Sequence, residues 1–189
     1  TLASAHVLWE DGHQPKDREL TFHTRSGVLT ARRSDDWIEL DFPAQPASPA
    51  DEPEGLARAL GVPLVSVHRS ESDLLVELDN EKSIRTLHPD FGALALIDAR
   101  GIIVTSPAIS DRFDFVSRFF APRAGISEDP VTGSAHCTLG PFWAQRLGTD
   151  SMVGYQVSDR GGTVRVVVDG DRVRLGGQAV TVRRGTLLA

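Results

Sequence analysis

Apolar residues fall at helical intervals in the opening stretch Leu2-Ala3-Ser4-Ala5-His6-Val7-Leu8-Trp9, which predicts a helix from the first residues of the chain. Asp11-Gly12-His13-Gln14-Pro15 breaks that pattern. The period then shortens to that of strands: Glu19–Thr24, Val28–Arg33 and Trp37–Phe42 are β-prone, with turn chemistry at Arg25-Ser26-Gly27 and Ser34-Asp35-Asp36. An antiparallel meander is the expectation. From Pro43 to Pro53 the prolines Pro43, Pro46, Pro49 and Pro53 stand among small and acidic residues, which opposes regular structure and predicts an extended linker between domains.

Beyond the linker the pattern predicts a helix over Glu54–Leu60 stopped by Gly61, then strands Leu64–Arg69 and Leu74–Asp79. Pro89 is placed to open a helix running through Ala99, with Phe91, Leu94, Ala95 and Asp98 at helical spacing. Strands are expected at Ile102–Thr105 and Phe113–Phe120, and a long helix from Ser134 through Leu147 stopped by Gly148. Pro141 lies inside that helix, where a missing N–H predicts a bend, and Phe142 and Trp143 read as core. Val153–Ser158, Thr163–Val168 and Arg172–Leu175 follow as strands, and Ala179–Arg183 as a last one. Each part of the chain thus carries a helix followed by three strands, and Ser4-Ala5-His6 in the first helix is repeated as Ser134-Ala135-His136 in the second. A duplicated half, with the same strand order in both copies, is expected.

Composition narrows the classes. With 189 residues, 40% of them hydrophobic and 24% charged, the chain can build a core and two small domains. Its 26 acidic and 20 basic residues are mixed along the length, so there is no basic stripe for nucleic acid or an anionic membrane surface. No apolar run is long enough to cross a bilayer. The single cysteine, Cys137, excludes an internal disulfide framework and a cysteine-based zinc site, and suits a reducing, cytoplasmic setting. No Walker loop, dinucleotide fingerprint, zinc-protease helix or EF-hand loop occurs, so no cofactor and no metal is expected.

Chemistry concentrates in Asp129-Pro130-Val131-Thr132-Gly133-Ser134, where a loop rich in turn residues delivers Asp129 to the start of the long helix. Free N–H groups at a helix start, with the partial positive charge of the dipole, suit a small anion such as a carboxylate. Gly133 permits close approach to the backbone, and the Ser134 hydroxyl adds a hydrogen bond. The same residues also read as an N-cap with a dipole-complementing acid, and the pattern alone leaves both open. His6, His136 and Cys137 read as packed residues, and Arg160-Gly161-Gly162 as a hairpin turn.

The run Arg118-Phe119-Phe120-Ala121-Pro122, Gly125-Ile126 and Glu128 through Cys137 resembles the signature of the PhzF-like, or phenazine biosynthesis-like, family. Pro141-Phe142-Trp143, Gln156 through Gly162 and Gly177 through Val182 extend the resemblance over essentially the whole chain. It implies an α/β (α+β) fold of the diaminopimelate epimerase-like kind: two pseudo-symmetric halves, each a curved sheet around a central helix, with the two helix starts facing across a cleft. It implies a cofactor-independent isomerase that moves a proton on a small carboxylate-bearing metabolite, in a homodimer. Asp129 matches the aspartate that holds the substrate and is catalytic in the family, and Gly133 with Ser134 matches the part that receives its carboxylate.

The family's acid/base glutamate and its Gly-His-x-Thr motif would lie upstream of Thr1, which looks like the threonine of that motif. Residues 1–43 are therefore expected to be a truncated first half, 44–178 the second half, and 179–189 a tail returning to the first. The missing segment would come from another chain, a cleaved piece or unobserved residues, and neither Glu10 nor Glu128 is assigned as the base. A racemase or epimerase of the same fold, which would use two cysteines, and a non-catalytic binding or dimerisation module are the alternatives.

Overall fold

The hydrophobic pattern closes into one 11-stranded mixed sheet in the computed structural model, which describes residues 1–24 and 27–186. The helix α1 (Leu2–Glu10) precedes the meander β1 (Leu20–Thr24), β2 (Gly27–Ser34) and β3 (Trp37–Pro43), all antiparallel as expected. Arg25 and Ser26, two of the residues expected to form the first turn, lie outside the described residues. The second part runs β4 (Ser48–Pro49), α2 (Leu56–Leu60), β5 (Ser66–Arg69), β6 (Asp73–Glu77), α3 (Glu81–Arg85), α4 (Phe91–Leu94), β7 (Gly101–Pro107) and β8 (Phe115–Phe120). A 3-10 turn at Pro122–Ala124 leads to α5 (Gly133–Leu147) and the meander β9 (Ser151–Gln156), β10 (Gly162–Asp169) and β11 (Arg172–Gly177).

Strand order across the sheet is β1-β2-β3-β11-β10-β9-β8-β7-β6-β5-β4. Each of α1 and α5 is thus followed by a three-stranded meander, and the third strands of the two meanders pair with each other, β3 antiparallel to β11. That is the order a duplicated half requires. Ala5 and Ala135, the middle residues of the repeated tripeptide, are both buried.

Burial explains the sequence pattern. Strands β6 to β8 are covered on both faces: Leu74, Val76, Ile102, Val104, Val116 and Phe120 pack toward α2 to α4, while Leu75, Ile103, Phe115 and Phe119 pack under α5. Their sequences are accordingly near-continuous apolar runs. A third, smaller core forms where Ala5 and Trp9 of α1 meet Leu20, Ala31, Ile38 and Leu40. Trp143 and Phe142 are core, as expected, and the buried indole Nε1–H donates to Thr105 Oγ1 at 3.0 Å.

Three expectations need correction, and one helix was not anticipated. The helix expected over Pro89–Ala99 is only Phe91–Leu94, because Asp90 rather than Pro89 forms the start: its side chain accepts the Ala93 N–H at 3.0 Å. Glu81–Arg85 is a helix that the apolar pattern did not indicate; Asn80 caps it by accepting the Ser83 N–H at 2.9 Å. The proline-rich stretch is not free of regular structure: Ser48–Pro49 pairs with His68 and Arg69 at the sheet edge, where the missing proline N–H is tolerated. Ala179–Arg183 is not a strand; it runs beside α1, with Thr181 hydrogen-bonded to Glu10 and near His6.

Pro141 sits within a helix that continues to Leu147. A residue with an N–H at 141 would donate to the Cys137 carbonyl; instead the Gln45 N–H, arriving from the proline-rich segment, donates to Cys137 O at 3.0 Å. The orphaned acceptor is satisfied from outside the helix. Among the described residues no helix is long and apolar enough to cross a membrane.

Close approach constrains particular glycines. A methyl group added at Gly154 would come within 2.5 Å of the Phe115 ring, which is fully buried and stacked on Trp143 at 5.7 Å between centroids. Neither ring has room to yield. Gly154→Ala is therefore expected to lower stability by about 1–3 kcal/mol, read as a drop in the urea midpoint; an unchanged midpoint would contradict this packing.

Candidate active site

The segment between β8 and α5 is built around one buried amide side chain. Gln156 is 0% exposed and makes three hydrogen bonds into that segment. Its Oε1 accepts the Thr132 N–H at 2.8 Å, and its Nε2 donates to Asp129 O at 2.6 Å and to Thr132 Oγ1 at 3.2 Å. Because the amide nitrogen only donates, Thr132 Oγ1 is the acceptor there, and its own proton goes to Asp129 Oδ2 at 2.5 Å. The relay fixes the Asp129 carboxylate. Ser158 Oγ adds a bond to Pro130 O at 2.7 Å, and a methyl at Gly162 would strike Val131 Cγ2, so the Arg160-Gly161-Gly162 turn packs against the segment.

The relay has a consequence for α5. Thr132 is the N-cap, yet its hydroxyl is engaged with Asp129 and Gln156 and caps nothing. Among the described residues the N–H groups of Gly133, Ser134 and Ala135 have no hydrogen-bond partner. Gly133 is exposed and Ser134 half-buried, so the helix begins at the surface, while Ala135 is buried. The plain N-cap alternative therefore fails at Thr132, and the helix start is left with the donors an anion needs.

Both helix starts approach the same strand. A methyl at Gly133 would lie 3.9 Å from Leu175 Cδ1, and one at Gly177 would lie 2.6 Å from Leu2 Cδ1. Leu175 and Gly177 are two apart on β11 and share a face. Asp129, Gly133 and Ser134 are thus brought together at the carboxyl end of β8, with the start of α1 nearby. They do not line the cavity of about 430 Å³ between His6, Trp9, Trp37 and Ala179, nor those beside Arg69 and Arg123 or beside Glu39 and Arg174.

Two arginines carry positive charge to the first two turns of α5. Arg100 forms a two-pronged pair with Asp73, Nε to Oδ1 at 2.9 Å and Nη2 to Oδ2 at 2.5 Å, and Nη2 also donates to Ser134 Oγ at 3.1 Å. Arg172, held by Asp41 at 3.0 Å, is close enough to act electrostatically on Cys137 together with Arg100.

The remaining titratable groups are committed elsewhere. Glu128 accepts two bonds from Arg118 at 2.8 Å each, and Glu10 is bound by Thr181, His6 and Arg184. Burial pushes the Cys137 thiol up to about 12, and Sγ donates to Gly133 O at 3.5 Å. His136 is fully buried; Nδ1–H donates to Thr132 O at 2.8 Å, and burial pushes the ring down to about 4. Among the described residues no three His, Cys, Asp or Glu side chains gather as a metal site.

Gln156, Asp73 and Arg100 were not singled out as site residues by the sequence. Gln156 lay within a quoted motif but read as the flank of a turn, and nothing in local spacing links Asp73 or Arg100 to Ser134 across 34 residues or more.

A family model described as phenazine biosynthesis-like protein matches residues 1–185. The chain belongs to that family. It is 49% identical over 189 residues to an uncharacterized isomerase of Halalkalibacterium halodurans, covering 100% of this chain and 71% of that one. A crystal structure of a PhzF-family phenazine biosynthesis protein from Enterococcus faecalis superposes with a TM-score of 0.87 at 36% identity, covering 94% of this chain and 67% of that one. A hydroxyproline epimerase of Agrobacterium vitis matches at a TM-score of 0.55 and 12% identity, over 94% and 63% of the two chains, which extends the likeness of fold to epimerases. The mixed α+β architecture expected from the family resemblance is thereby established.

Two outcomes test the geometry. Gln156→Leu strips partners from the Thr132 N–H and the Asp129 carbonyl, so hydrogen exchange at the Thr132 amide is expected to quicken by on the order of tenfold or more; unchanged protection would mean that the segment is held by other contacts. For His136, the unfolded ring binds a proton below about 6.5 and the folded ring only below about 4. Stability is thus expected to fall as pH drops through that window, by on the order of 3 kcal/mol in total, measurable as the urea midpoint against pH in wild type and His136→Gln.

Proposed function

We propose that this chain supplies the carboxylate-holding side of a cofactor-independent isomerase site of the PhzF-like type. The observation that carries this is the uncapped start of α5: the Gly133, Ser134 and Ala135 amides have no partner among the described residues, and Thr132, turned toward Asp129 and Gln156, caps none of them. The helix start receives the carboxylate of a small metabolite, through those amides and the Ser134 hydroxyl. Asp129, fixed by the relay, holds the substrate beside it and takes part in the proton transfer.

A carbon acid yields its proton only to a base of suitable pKa while donors meet the developing charge. Glu128 and Glu10 are engaged in ion pairs and Cys137 stays protonated at neutral pH, which disfavours each as that base. The inert thiol also weighs against the two-cysteine racemase. In keeping with the family resemblance, the base is a glutamate supplied from outside residues 1–189.

Benzoate, a simple carboxylate on a ring, is expected to shift the backbone amide resonances of Gly133, Ser134 and Ala135, while neutral benzamide does not. No benzoate-specific shift would overturn the proposal. A dihydro-hydroxyanthranilate incubated in D2O with the 189-residue chain is expected to keep its carbon-bound hydrogen, and exchange would refute the external base. Adding a polypeptide that bears the early strands and glutamate of a longer relative is expected to start exchange, and Asp129→Asn to slow it by about 100-fold or more. Binding without exchange in that mixture would favour the binding-module alternative.

A further inference from the structure

Arg100 and Asp73 stand behind the helix start in an arrangement that no site motif predicts. Asp73 opens β6 with its carboxylate fully buried, and Ser70 braces its backbone through three hydrogen bonds of 2.9 to 3.1 Å. The Arg100 fork lies on that carboxylate, and the Arg100 N–H donates to Ser72 O at 2.9 Å. Gly101 makes this fit possible: a methyl there would sit 3.2 Å from Asp73 Oδ1 and overlap the Phe119 ring. A guanidinium held along one edge by two bonds loses little further freedom in making another. Its Nη2 reaches forward to Ser134 Oγ at 3.1 Å.

Donor chemistry then decides what Ser134 does. Arginine has five N–H donors and no acceptor, so Ser134 Oγ must accept from it. The Ser134 hydroxyl proton is engaged by no acceptor among the described residues. The proton is left for a ligand atom at the helix start, next to the amides of Gly133, Ser134 and Ala135. A serine without the arginine could equally turn its proton inward and present a lone pair, which repels a carboxylate.

We propose that Arg100, anchored by Asp73, is a positioning residue that fixes Ser134 as a hydrogen-bond donor to the substrate carboxylate. This rests on the anion-site assignment above and adds to it the group that sets the polarity of that site. It also narrows the ligand: an acceptor oxygen, a carboxylate above all, is favoured at Ser134, and an ammonium group, which only donates, is not.

Titration with benzoate, followed by amide shifts and by calorimetry, tests the proposal on four proteins: wild type, Arg100→Lys, Ser134→Ala and the double variant. Lysine retains a cation against Asp73 but has no fork to span Asp73 and Ser134 together. Each single variant is expected to weaken benzoate binding about tenfold, and the double variant to bind no more weakly than Ser134→Ala, since one interaction is removed twice. Wild-type affinity in Arg100→Lys, or losses that add, would overturn the role of Arg100 while leaving the anion site standing. Failure of the wild type to bind benzoate would overturn the anion site itself and this inference with it. If Arg100→Lys does not fold, the Asp73→Asn, Arg100→Gln pair replaces it, keeping an amide hydrogen bond without charge; the same tenfold loss is expected, and wild-type affinity in the pair would overturn the role.

Discussion

One buried side chain organises the segment that leads into α5. Gln156 leaves β9 and saturates the polar groups of the segment ahead of α5, so Thr132 gives its hydroxyl to Asp129 and none to the helix. A fully buried amide without partners would cost a few kcal/mol, so the arrangement persists only because each bond is made. Two results follow from the single clamp: Asp129 is oriented, and the helix amides are left free. A loop that capped its own helix would have neither.

The sheet makes that clamp possible. Strand β8 carries the chain into the segment, and β9, which returns from α5, pairs in parallel with β8 so that Gln156 lies opposite Ser117. A parallel pair needs a long crossover, and α5 is that crossover. Its start is therefore bound to sit at the carboxyl end of β8, where Arg100 from the head of β7 can also reach it. Helix α5 lies close to β10 and β11, where a methyl at Gly140 would meet Val166 at 3.0 Å, Val168 at 3.3 Å and Val173 at 3.4 Å.

The other half-sheet follows the same plan at a different level of burial. The α1 helix is apolar on most positions, and its inner face meets β1 to β3 through Ala5 and Trp9. The two third strands join at β3 and β11, with Leu40 opposite Leu175, so the helix starts are set by one continuous hydrogen-bond ladder. Gln45 ties the proline-rich segment to α5 at the carbonyl that Pro141 leaves unpaired. A residue that looks like a helix breaker has thus become a point of attachment.

The sequence by itself determined the elements whose physics is local. Period-two runs gave the meanders, Gly61 and Gly148 ended their helices in left-handed conformations, and the motif from Asp129 to Ser134 marked the family and the candidate site. Local physics misjudged Pro89–Ala99 and Ala179–Arg183, because a capping aspartate and the available pairing partners decide those, not periodicity. Only the tertiary structure decided whether Thr132 caps its helix, since its competitors Gln156 and Asp129 are equally polar on paper. It alone brought Asp73 and Arg100 to Ser134, because a hydrogen bond depends on position in space and nothing in the chain between them records the distance.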